Sequence, residues 1–105
     1  MRKLIVDKDE KLDDKNRLIL RLWKVKKCND FPDGVEFAFQ YLYFKDKRWN
    51  QVVRIDNQLH EGKSGTHIHV MKREKVEWIQ LTPADAEREI ICRAERIIKN
   101  ILDKI

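Results

Sequence analysis

The chain has 105 residues, a length that suits one domain (1–105) and leaves no room for two cores. Charged residues make up 39% and apolar ones 42%, enough for a core, so disorder is not the default, and no apolar run approaches the ~20 residues of a bilayer-spanning helix. The net charge is +5, and the excess lies mainly in residues 18–81, with twelve basic against eight acidic side chains. A positive middle suits an anionic partner such as RNA. It equally suits a solvated surface rich in Lys, Arg and Glu, a usage found in thermophiles.

The opening MRKLIVDKDEK turns charged after three apolar residues and reads as neither a signal peptide nor a membrane anchor. Residues 3–6 suit a short first strand and 7–16 a polar loop. Residues 17–28, RLILRLWKVKKC, have strand composition. Pro32-Asp33-Gly34 marks a turn, because Pro presets φ and Gly supplies a positive one. Strand 35–44 places Val35, Phe37, Phe39, Tyr41 and Tyr43 on one face, a stripe that reads as core before it reads as a base-stacking platform. Residues 45–50 read as a hairpin turn, and 51–56, 66–71 and 76–81 as three further strands, with a loop over 57–65. The end of the chain is a helix from about Thr82 to Leu102, with Thr82 as N-cap, Pro83 in the first turn and Asp85 at its positive end. Its stripe of Ile90, Ala94, Ile97, Ile98, Ile101, Leu102 and Ile105 packs on the sheet. The fold class is therefore α+β, an antiparallel sheet of four to six strands packed by one long C-terminal helix. Cys28 and Cys92, far apart and outside any CxxC, read as two reduced thiols in a cytoplasmic protein.

The three histidines fall within ten residues, 60–69. Alternation puts Arg54 and Asp56 on one face of strand 51–56, and His67 and His69 on one face of strand 66–71. If Ile55, Ile68 and Val70 face the helix, all four polar groups face away from it. Metal-free RNA cleavage needs a base for the 2′-hydroxyl, an acid for the leaving oxygen and cations for the phosphate. Histidines titrating near neutrality serve as base and acid, and a guanidinium forks a phosphate. The expected catalytic set is Arg54, His67, His69 and Asp56, with Asp56 orienting a neighbour. Lys63, Lys72, Arg73 and His60 are the expected nucleic-acid contacts. This reading needs no metal or other cofactor. Two other readings stay open. One is a binding module for nucleic acid or protein without catalysis. The other is a small metalloprotein in which His67-x-His69 joins His60 or Asp56. The string from His67 to Glu74 also matches the start of a cupin motif, but Glu61 stands where a cupin has glycine and no second motif follows.

Arg54-Ile55-Asp56-Asn57 at a strand end, a His-bearing loop, His67-Ile68-His69, then a strand and a C-terminal helix resemble the TumE-like family, small toxins of bacterial and archaeal toxin–antitoxin loci. The likeness spans residues 35–98, with Gly-Thr-His-Ile-His in place of the family's Pro-His-His element. It implies growth inhibition through RNA and a cognate antitoxin protein as partner. No membrane partner is expected, and a homodimer is compatible with it.

Overall fold

The computed structural model describes residues 2–73 and 75–103. Among the described residues six strands follow in chain order: β1 (Lys3–Lys11), β2 (Asn16–Lys24), β3 (Val35–Lys45), β4 (Arg48–Asp56), β5 (His67–Val70) and β6 (Glu77–Trp78). They form one open sheet in which each strand pairs antiparallel with its sequence neighbour. One helix, α1 (Pro83–Asp103), follows and lies against β3 and β4. No helix among the described residues is long and apolar enough to cross a membrane. An open sheet with two free edges is not a cupin barrel, and Glu74, the cupin acid, lies outside the described residues.

Several boundaries differ from the sequence expectation. Residues 7–11 are strand, because an edge strand needs only its backbone paired and its charges serve the solvent. Asp7 and Asp9 pair with Arg21 and Arg17 of β2. β2 stops at Lys24, where the chain turns so that Val25 N–H reaches Gly34 O at 3.0 Å, with Gly34 at φ 69°. The β3–β4 turn shrinks to Asp46-Lys47, both at positive φ (55° and 64°), as a two-residue hairpin of type I′ requires. The Asn50 amide closes it on the carbonyls of Lys45 and Arg48. Strand 76–81 reduces to the two residues of β6.

Core formation follows the alternation. Leu18, Leu20, Phe37, Phe39, Tyr41, Tyr43, Val53, Ile55 and Ile68 meet Ala86, Ile90, Ala94 and Ile98 of the helix. The aromatic stripe of β3 is thus core, and burial pushes the Tyr41 hydroxyl above its ordinary range. A β-bulge between Tyr41 and Leu42 leaves Val52 without a cross-strand partner, and both Val52 and Val53 are buried. At the helix start, Thr82 caps as expected, its Oγ1 accepting from Asp85 N–H at 3.2 Å. The stripe begins a turn earlier than expected, at Ala86. Ile97 is only half-buried, and the side chains of Ile101, Leu102 and Ile105 lie outside the described residues. Cys28 and Cys92 are both unpaired and exposed.

Candidate active site

The register of β4 and β5 sets Arg54 opposite His69 and Asp56 opposite His67, flanking the Ile55–Ile68 pair. Ile55 and Ile68 enter the core, so the four polar residues occupy the helix-free face, as the alternation predicts.

His60 arrives by way of the loop. Asn57 extends the β3–β4 ladder with its side chain: Oδ1 accepts from Phe37 N–H at 2.7 Å and Nδ2 donates to Val35 O at 2.8 Å. The chain then doubles back through His60-Glu61-Gly62-Lys63. His60 and Lys63 exchange both backbone bonds at 3.0 Å, with Glu61 and Gly62 at φ 52° and 78°. This small turn sets the His60 ring 5.1 Å from that of His67 and 5.3 Å from that of His69, whose own rings lie 4.9 Å apart. One ring nitrogen from each of the three lies within 4.8 Å of the others.

Depth is where the sequence expectation needs correction. Catalysis by the expected set implies a solvent-reachable depression holding Arg54, His67 and His69, with Asp56 and His60 at its edge. Asp56 and His67 are instead each 2% exposed and form the floor, while Arg54, His60 and His69 are half-buried above and around them. Trp78, opposite His67 in the β5–β6 pair, covers that ring from the side at 4.8 Å between centroids.

Hydrogen bonds fix the floor. Asp56 Oδ1 accepts from Gln58 N–H at 3.0 Å and lies 3.1 Å from His67 Nε2, and Oδ2 accepts from Arg54 Nε at 2.9 Å. Arg54 also donates from Nη2 to Gln58 Oε1 at 2.9 Å. Gln58 Nε2 donates in turn to Oε2 of the buried Glu36 carboxylate at 2.7 Å, and the same oxygen accepts from Arg2 Nη1 at 2.9 Å. His67 Nδ1 lies 3.4 Å from Gly65 O, the outer limit of a hydrogen bond. Asp56 therefore stands in contact with both a histidine and Arg54. Burial first, then the His67 ring, hold His69 below the usual imidazole range. His60 and Arg54 add to this, and the Asp56 carboxylate opposes it.

The expected nucleic-acid set divides. His60 joins the cluster, and Lys63 stands exposed beside it. Lys72 and Arg73 do not join them. They line a hollow of about 570 Å³ on the helix side, with Lys45, Arg48, Val70 and Ile97. Gln58, Trp78 and Glu36 were missed. The strand holding Trp78 was visible in the sequence, but its pairing with His67 depends on the path of residues 71–76. Gln58 stands in the expected loop 57–65, and Glu36 on the face of strand 35–44 opposite the aromatic stripe. No family model matches the chain, and no curated protein or solved structure matches it either.

Proposed function

We propose that this protein acts on RNA in the cytoplasm as the toxin of a type II toxin–antitoxin pair, cleaving a phosphodiester at the histidine cluster. The observation that carries the reading is one buried carboxylate, Asp56, shared by His67 and Arg54, with His60 and His69 close above it. An aspartate holding one imidazole nitrogen fixes the ring's tautomer and orientation, as in catalytic triads. His60 and His69, half-buried at the rim, are the rings an incoming strand meets first. One takes the 2′-hydroxyl proton as that oxygen attacks phosphorus. The other protonates the departing 5′-oxygen, leaving a 2′,3′-cyclic phosphate and a 5′-hydroxyl. Arg54 uses Nε and Nη2 within the site; Nη1, without a partner among the described residues, is left for a phosphate oxygen. The likeness of Arg54-Ile55-Asp56-Asn57 and His67-Ile68-His69 to the TumE-like pattern supports the toxin role and a cognate antitoxin as partner.

Purified protein, made without a histidine tag and held in chelator, is expected to cut single-stranded RNA and leave cyclic phosphate ends. His69→Ala and His60→Ala are each expected to slow cutting roughly 10²–10⁴-fold while keeping the fold. Induction of the wild-type chain in a bacterial host is expected to halt growth, and His69→Ala to relieve the arrest. Intact RNA together with unimpaired growth would remove this reading.

A further inference from the structure

An acid–base pair needs two imidazoles, and this site brings in a third. Its loop folds into a two-residue turn whose result is to set His60 over His67 and His69. Three nitrogen donors, one from each ring and all within 4.8 Å, are the ligand set of an open transition-metal site, with a fourth position left for water. A second feature points the same way. His67 Nε2 lies 3.1 Å from the Asp56 carboxylate, itself fixed by Arg54 and the Gln58 N–H. Metal-ligating histidines are held in this manner by a carboxylate on the nitrogen away from the ion. The other nitrogen of His67, Nδ1, lies 3.4 Å from Gly65 O, the outer limit of a hydrogen bond.

We infer that His60, His67 and His69 bind one divalent transition ion of the Zn²⁺ class, and that this ion switches the site off. The regulatory half rests on the proposed RNA cleavage; the binding does not. An all-imidazole set selects against Mg²⁺ and Ca²⁺, which take oxygen ligands, and suits Zn²⁺. Tetrahedral Zn²⁺ with Zn–N of about 2.0–2.1 Å draws ligand nitrogens to roughly 3.3 Å apart. The half-buried rings of His60 and His69 supply that closure by rotating over the fixed His67. A nitrogen whose lone pair is on a metal cannot take a proton from a 2′-hydroxyl. Occupancy by the ion and proton-transfer cleavage therefore exclude each other.

The test uses the full chain without a tag, stripped with chelator. Equilibrium dialysis against ZnCl₂ is expected to give one ion per chain, with a change in tryptophan emission because Trp78 lies against His67. MgCl₂ should give neither. His60→Ala and His69→Ala are each expected to weaken binding at least about tenfold, and Asp56→Asn about 10–100-fold through the lost orientation of His67. Because His67 is buried, the weight falls on the two rim histidines, with circular dichroism confirming that each variant is folded. Cleavage by the stripped protein should fall in proportion to Zn²⁺ occupancy and return on chelation. Absence of stoichiometric binding, or binding undiminished in the His60→Ala/His69→Ala double variant, overturns the site. Cleavage that rises with Zn²⁺ overturns the inhibitory role. Zn²⁺ binding by a protein that cuts no RNA in either state upholds the site and removes the proposed function, and with it the switch.

Discussion

Replacing Asp56 by alanine tests the floor of the site directly. The carboxylate is 2% exposed, accepts from Arg54 Nε at 2.9 Å and Gln58 N–H at 3.0 Å, and lies 3.1 Å from His67 Nε2. Without it, His67 Nε2, on a ring that is itself 2% exposed, loses its carboxylate neighbour, and among the described residues the Arg54 guanidinium keeps only Gln58. Removing one member of a buried pair costs about 3–5 kcal/mol. The Arg54 side chain is 29% exposed and recovers part of its hydration, which places the expectation near the lower end, at about 3 kcal/mol. Against a total of about 5–15 kcal/mol for a domain of this kind, that is a large fraction. In melting temperature it amounts to a drop of about 12–24 °C, taking about 4–8 °C per kcal/mol. Urea unfolding followed by circular dichroism and tryptophan emission measures it, with the exposed Asp7–Arg21 pair as the control whose loss should change little. A free-energy change for Asp56→Ala within about 0.5 kcal/mol, at unchanged denaturant slope, would refute the claim that this carboxylate organises the site.

Three further expectations concern the scaffold. Ile90, fully buried between helix and sheet, should cost about 2–5 kcal/mol when cut to alanine, read from the same unfolding curves. Asn57→Ala removes two side-chain bonds to the β3 backbone, at 2.7 and 2.8 Å, and should cost about 1–3 kcal/mol, with amide exchange of Phe37 accelerating first. The hydrogen bond from Arg93, which ties α1 to β6, holds Glu77 below its ordinary range. A depressed carboxylate stabilises above its unfolded-state pKa and loses that contribution as pH falls through the lower folded value. Glu77→Gln should therefore lower the melting temperature slightly at pH 7, by no more than the equivalent of about 1 kcal/mol for so exposed a pair, and leave it unchanged near pH 2.

The elements built on strong periodicity were legible in the residues alone. Thr82-Pro83 and the isoleucine stripe announce α1, and the β3 aromatics announce a sheet face against it. Two features escaped for different physical reasons. Asp7-Lys8-Asp9-Glu10-Lys11 has loop composition, yet strand pairing costs an edge segment nothing in side-chain burial, so composition is silent there. The bulge at Val52 inserts one residue without a local marker, and only the parity of residues 53–56 survives it unchanged. For the site, parity told which face Arg54, Asp56, His67 and His69 share, because the register of two neighbouring antiparallel strands preserves it. Parity carries no information about depth. Depth here comes from Trp78 across the β5–β6 pair and from the turn that returns His60, both long-range consequences of loop geometry. Lys72 and Arg73 show the same limit. Their charge was visible, but the chain leaves β5 with Lys72 at φ 63° and carries them to the helix side.

The division between a buried floor and a half-open rim bears on how the cluster can work. Ordering a histidine at the moment of reaction costs side-chain entropy and reorganises solvent, whereas a ring already fixed by Asp56 has met that cost on folding. His67 is held in this way, with an aspartate on one nitrogen and Trp78 beside it. His60 and His69 have no side-chain hydrogen bond among those of the described residues, and their rings can turn. A proton carrier must meet its substrate, and a metal ligand must close on its ion; both need movement at the rim and none at the floor. Stiffening the rim should therefore impair either chemistry without weakening the fold. Gly62 is the place to test that. An added Cβ there would meet nothing within 4 Å, but φ stands at 78°, so Gly62→Ala strains only the turn that carries His60. The expected result is a shift of His60 away from its neighbours, with Zn²⁺ affinity and RNA cleavage both reduced and stability lowered by only about 1 kcal/mol. Affinity and cleavage equal to wild type would mean that His60 is not a working member of the cluster, and the site would contract to Arg54, Asp56, His67 and His69.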